Sequence, residues 1–311
     1  MHGIEQSCRF EAASRLIISK PYCGQSSTDR IKIFMAQTWF ITGTSSGFGR
    51  AFADHALKRG YNVVATARRV SSLDDIVARA PERVLALTLD VTSTNDARAV
   101  VNAAVTRFGR IDVLINNAGY GIVGAFEETP DDELRMLMET SFFGAMNVTR
   151  AALQTLRAQR SGAIVNISSL GGQLSFAGFS AYSAVKFALE GASEALAQEL
   201  KPFGVKVLIV EPGQFRTNLA GPSMRHMPQM DVYRDVVGST RQFAHAMHGT
   251  QPGDPRKAAA AIETALHACE TPLRLQLGGD AADAVREHST TLLKDLATWE
   301  ALARDTIFDA A

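Results

Sequence analysis

The sequence predicts an α/β fold: one doubly wound parallel sheet of about seven strands with helices on both faces. From Gln37 onward, short β-branched or aromatic runs alternate with longer Ala- and Leu-rich segments, the order of repeated βα units. The short runs are apolar almost throughout, as strands covered on both faces require. At 311 residues, 46% hydrophobic and 21% charged, the chain has material for one extended core and does not resemble a disordered or fibrous protein.

The strands are expected at Thr38–Thr42, Asn62–Ala67, Val84–Leu89, Val113–Asn116, Ala163–Ile167, Lys206–Val210 and Leu273–Leu277. Helices separate them. The clearest is Ser180–Leu200, where Ala181, Ala184, Val185, Ala188, Ala192, Ala195 and Leu196 recur at helical spacing. Between about 219 and 255 the composition turns to Met, His, Gln, Pro and Gly, which reads as a mobile lid leaving the carboxyl end of the sixth strand. Residues 35–311 form the expected domain. Residues 1–34 read as a poorly ordered or artefactual extension, with Met35 as the expected start.

Lys+Arg and Asp+Glu balance at 32 each, so no broad basic surface offers itself to nucleic acid. No apolar run approaches the roughly 18 residues of a membrane span. Cys8, Cys23 and Cys269 are scattered without paired spacing, which suits a reducing cytoplasm and neither a disulfide framework nor a thiolate metal site. His245 and His248 lack the further ligands a metal needs, and no metal is expected.

The residues that carry chemistry fall just after the strands. Thr42-Gly43-Thr44-Ser45-Ser46-Gly47-Phe48-Gly49 follows the first strand and opens a helix. Glycine there lets backbone N–H groups approach a pyrophosphate, and the positive helix end favours its charge. An ordinary strand–helix connection is the other reading. A dinucleotide site ordinarily carries an acidic residue about 20 positions on, against the adenosine ribose. Here the second strand ends in Arg68 and Arg69, whose guanidiniums suit a 2′-phosphate unless they are merely solvated. NADP(H) is therefore preferred over NAD(H). Asp90-Val91 follows the third strand, where Asp90 can accept from the adenine amino group. Asn116-Asn117-Ala118-Gly119 ends the fourth, and its small residues let backbone lie against a cofactor, though a polar turn reads the same way.

Tyr182 and Lys186 stand four apart on the Ser180–Leu200 helix and so share a face. A cation beside a phenol favours the phenolate and draws its pKa below the usual value of about 10, toward acid–base work. Ser169, ending the fifth strand, can hydrogen-bond the same reacting oxygen. Alone, the pair equally describes a packed Tyr beside an exposed Lys; with the serine and the glycine turn it reads as a reaction site.

In this order the motifs resemble the short-chain dehydrogenase/reductase family, from about Met35 to Gly279, through Thr42–Gly49, Asp90, Asn116–Gly119, Ser169, Tyr182, Lys186 and Pro212-Gly213-Gln214-Phe215-Arg216-Thr217. The resemblance implies a single-domain Rossmann fold and hydride exchange between NADP(H) and a carbonyl or alcohol. Tyr182 would be proton donor or acceptor, Ser169 would position the carbonyl, and Lys186 would bind the nicotinamide ribose while tuning Tyr182. Pro212, Gly213, Phe215 and Thr217 would meet the nicotinamide. One departure stands out: the family's catalytic Asn position reads Ser141, a shorter group for the water that supports the lysine.

Phe176, Phe179, Phe215, Met224, Met227 and Met230 would give a hydrophobic substrate wall unless they are ordinary core. The substrate is then a bulky ketone, aldehyde or secondary alcohol. Phe187, Leu189 and Leu196 on the Ser180–Leu200 helix exceed one intramolecular face, and the family often self-associates there, so a homodimer or homotetramer is expected. A sensor that binds NADP(H) without turnover is the alternative, resting on Ser141. An enzyme of carrier-tethered acyl chains is a further rival.

Overall fold

Each of the seven expected runs becomes a strand, and all seven pair in parallel. The computed structural model describes residues 36–308, so the expected extension and the Met35 start lie outside the described residues. The main sheet contains β1 (Thr38–Ile41), β2 (Asn62–Ala67), β3 (Val84–Thr88), β4 (Val113–Asn116), β6 (Ala163–Ile167), β7 (Lys206–Pro212) and β9 (Arg274–Leu277) in the order β3-β2-β1-β4-β6-β7-β9. The winding reverses between β1 and β4, where a crevice opens beyond the strand ends. A second sheet pairs only β5 (Gly121–Val123) with β8 (Met224–His226).

Alternate side chains enter opposite layers. Trp39 and Ile41 of β1 join a core with Phe52 and Ala56 of α1 (Gly47–Lys58) and Ile262 of α8 (Pro255–His267). Phe40, between them, faces the other core, with Val100 of α3 (Thr94–Phe108) and Val148 of α5 (Gly144–Gln159). A short α2 (Asp74–Arg79) leads into β3, and α4 (Asp131–Met138) precedes a wide π turn at Glu139–Phe143. The long α6 (Ser180–Leu200) carries the Tyr–Lys pair. Inside, Asn116 of β4 donates to Asn166 of β6 at 2.8 Å and Asn166 donates to Ser193 of α6 at 2.7 Å, so a buried polar chain fixes α6 against the strand ends.

Three features differ from expectation. The stretch at about 219–255, expected as a lid rather than another βα unit, contains β8 and α7 (Arg234–Met247). The inward positions of α7 are Val237, Arg241 and Ala244, and the central charge hides the apolar period. On α6, Leu189 is buried and Leu196 packs into the core, leaving Phe187 as the exposed member of the expected surplus. Beyond β9 the chain continues as a long α9 (Gly279–Arg304), which the sequence reading left unassigned.

Arg241 meets Glu128, whose side chain is 1% exposed and also accepts from Ala125 N (2.7 Å) and Met230 N (2.8 Å). Burial alone raises the Glu128 pKa, but the two backbone donors and Arg241 outweigh it and hold the group below the ordinary carboxylate value. Glu128 therefore stabilises the fold fully above the unfolded carboxylate pKa, and that contribution is lost as the pH falls through its lower folded value. Glu128→Ala, which leaves Arg241 buried and unpaired, is expected to cost about 3–5 kcal/mol in denaturant unfolding near neutral pH.

Candidate active site

Beyond the carboxyl ends of β1, β2, β4 and β6 lies a cleft of about 510 Å³. It begins at the glycine turn. Gly43 takes φ +69°, open to glycine, and a Cβ there would come within 3.0 Å of the Ala118 backbone. Asn117 clamps this turn, donating from Nδ2 to the carbonyls of Thr42 (2.9 Å) and Gly43 (3.1 Å). Thr42 Oγ1 accepts in return from the N–H groups of Asn117 (2.9 Å) and Ala118 (3.0 Å). Helix α1 then starts from Ser46 with no side-chain cap and no acidic residue in its first turn. Its positive end thus keeps donors free of protein carboxylates.

Gly43, Ser45, Ser46, Gly47 and Phe48 line the cleft; Gly49 does not, because its missing side chain makes room for the Gly43 carbonyl. Arg68 lines it and has no carboxylate partner among the described residues, whereas Arg69 lies outside the lining. Asp90 and Val91 border the same wall, with Asp90 Oδ1 accepting from Thr92 N at 3.0 Å. Asn117, Ala118 and Gly119 complete this side.

At the other end Ser169, Tyr182 and Lys186 line one surface. Ser169 Oγ accepts from Gly171 N at 3.0 Å, and Lys186 Nζ donates to the Ile167 carbonyl at 2.9 Å, 5.7 Å from the centre of the Tyr182 ring. Burial pushes the Tyr182 phenol up, with the Ser169 hydroxyl acting against it. The expected lowering by Lys186 is therefore not what this cleft displays, because burial dominates. Lys186 is itself pushed down to about 8 by burial, opposed by the Glu190 carboxylate.

Ser141 stands behind this surface rather than in the lining. Its Oγ is buried in the π turn without a hydrogen-bond partner among the described residues, 3.0 Å from where a Cβ on Gly119 would lie. Pro212, Gly213, Phe215 and Thr217 all line the cleft. The space over Gly213 belongs to Asp280, which accepts from Gln214 N at 2.7 Å.

The expected substrate wall is only partly assembled. Phe215 reaches the cleft, tilted against Phe48 at 5.2 Å between ring centres. Phe179 stands edge-on to Tyr182 at 6.2 Å but outside the lining, Phe176 is 52% exposed away from it, and Met224 packs on Gly121. Met227 is core, and Met230 lies outside the lining. In their place stand Tyr120, Met136, Leu219, Pro222 and Arg225. Arg225 lies 4.4 Å over the Tyr120 ring and pairs with Glu133 at 2.6 Å. Met136 comes from α4 and the others from the β5–β8 sheet and its loops, which no motif signals. His245 stacks on His226 at 3.9 Å, in a second cavity of about 650 Å³ whose lining shares no motif residue.

The profile of the short chain dehydrogenase family matches residues 37–228. A solved short-chain dehydrogenase from Streptomyces avermitilis is 53% identical, with a TM-score of 0.83 over 88% of this chain and 100% of that one. Oxidoreductase BOA17 of Botryotinia fuckeliana is 38% identical across 86% of this chain and 98% of its own length. A short chain dehydrogenase/reductase from Burkholderia phymatum, solved in complex with NAD, is 26% identical with a TM-score of 0.73, over 84% of this chain and 96% of that one. By the profile, by these relatives and by the strand order, this chain belongs to the short-chain dehydrogenase/reductase family of oxidoreductases.

Proposed function

We propose that the chain is an NADP(H)-dependent oxidoreductase that reduces hydrophobic ketones or aldehydes, or oxidises the matching secondary alcohols, in the cytoplasm. The observation that carries the reading is the meeting, in one cleft, of Ser169, Tyr182 and Lys186 with the uncapped start of α1 and with Arg68, which has no carboxylate partner among the described residues. The residues fit a dinucleotide: the Gly43–Gly47 turn and the α1 N–H groups suit its pyrophosphate, and Arg68 suits a 2′-phosphate. Asp90 and Val91 suit the adenine, Lys186 the nicotinamide ribose, and Pro212 with Thr217 the nicotinamide. NAD occupies the Burkholderia relative, so the preference for NADP(H) rests on Arg68 and on the lack of an acid at the end of β2.

When bound, the nicotinamide supplies or accepts the hydride. In reduction, Ser169 holds the substrate oxygen, Tyr182 gives it the phenolic proton, and the Lys186 ammonium stabilises the phenolate left behind. The orphaned Ser141 hydroxyl suits a water that returns protons toward Lys186. Tyr120, Met136, Leu219, Pro222 and Phe215 offer apolar surface to the substrate. No feature of the cleft favours a sensor, which would need no buried Tyr–Lys pair.

Tyr182→Phe is expected to lower kcat by roughly 10²–10⁴-fold on a responsive carbonyl while NADPH fluorescence still reports binding. Binding lost together with turnover would remove the acid–base role. Arg68→Ala should weaken NADPH roughly 10–100-fold and leave NADH nearly unchanged, measured by titration. With Tyr182 raised and protonated throughout, kcat/KM for reduction should fall above about pH 8 as Lys186 loses its proton. A profile flat to about pH 10 would separate Lys186 from the reaction.

A further inference from the structure

Helix α9 leaves the body of the molecule partway along its length. Ala281 is buried, Val285 and His288 are half-buried, and every residue from Ser289 to Phe308 is exposed. A lone helix of about 15 residues is marginal in water. This one also presents Leu292, Leu293, Leu296, Trp299 and Leu302 at 54–67% exposure, with no packing partner among the described residues. Positions 285, 289, 292, 296, 299 and 303 alternate spacings of four and three, the seam of a two-helix coiled coil.

We propose that this seam pairs antiparallel with α9 of a second copy of the chain, about a twofold axis passing beside Lys294. That register sets Leu292 opposite the partner's Leu296, Trp299 opposite the partner's Ser289 and Val285 opposite the partner's Ala303. Large side chains thus meet small ones at the ends, and leucines meet at the centre. On one flank Arg286 faces the partner's Glu300, twice by symmetry, and Leu293 faces the partner's Leu293. On the other flank Asp295 faces the partner's Asp295, in water at the rim.

The exposed apolar side chains offer on the order of 600 Å² per chain, which doubled reaches the lower limit of a stable interface. Charge argues against a membrane surface. A helix lying on lipid carries an excess of Lys and Arg, whereas Gly279–Phe308 holds six acidic residues against three basic ones.

Light scattering of the full chain tests this without recourse to activity. Leu296→Glu should halve the particle mass and leave unfolding of the body unchanged, since Leu296 is exposed within its own chain. Arg286→Glu should weaken self-association several-fold and Glu300→Arg in the same chain should restore it, a rescue that parallel pairing would not give. With Cys8, Cys23 and Cys269 changed to serine, Leu293→Cys should cross-link on oxidation and Ala301→Cys, on the opposite face, should not. A monomeric wild-type chain, or a mass indifferent to Leu296→Glu, overturns the proposal. So does a monomer that binds phosphatidylserine vesicles through Leu296, or an assembly that disappears when residues 1–34 are removed.

Discussion

All strands of the main sheet point the same way, and this decides where chemistry can be done. Parallel strands bring their carboxyl ends to one edge, so residues placed just after a strand become neighbours however distant they are in sequence. Gly43, Arg68, Asp90, Asn117, Ser169 and Gly213 each follow a different strand and all line one cleft. The pairing register makes the edge level: Ile41 stands beside Ile115, Asn116 beside Asn166, and Ile167 beside Val210. Side chains then finish the alignment. Thr42 joins the end of β1 to the turn after β4, and the Asn116–Asn166–Ser193 chain holds α6, and with it Tyr182 and Lys186, against that edge.

Much of this was legible because it is local. Fully covered strands need unbroken apolar runs, so the seven main strands declare themselves; a glycine turn, an Arg pair and a Tyr–Lys spacing likewise occupy single short windows. What escaped depends on distant partners. β5 and β8 are three residues long and, among the described residues, pair only with each other, so neither has a period to read. Asn117 reads as a cofactor contact and lines the cleft, and its amide also serves two carbonyls across 74 and 75 residues of sequence, which no local window shows. Gly213, a nicotinamide contact by the family resemblance, lines the cleft, but the space over its missing side chain is taken by the Asp280 carboxylate at the start of α9, which no local window shows. Phe176 and Met224 have the right chemistry for a substrate wall, but composition does not say which way a side chain turns, and the turn here is toward solvent and toward Gly121.

The electrostatics of the reactive pair also depend on groups outside the cleft. Glu190 follows Lys186 by one turn on the buried face of α6, and Arg274 Nε of β9 reaches Glu190 at 3.0 Å and Glu211 of β7 at 3.4 Å. Gln173 Nε2 bridges the same carboxylates, at 3.3 and 3.1 Å. One guanidinium thus serves two buried acids, while its other arm turns outward to the half-exposed Glu194. Burial pushes both buried acids up, Glu211 to about 7, with Arg274 and Gln173 acting against it. Lys186 is therefore linked, through Glu190, to Arg274 of β9 and Glu211 of β7, strands that contribute no acid or base to the cleft itself. This explains how a lysine 9% exposed keeps its charge near neutral pH: the Glu190 carboxylate opposes the desolvation that would otherwise strip it.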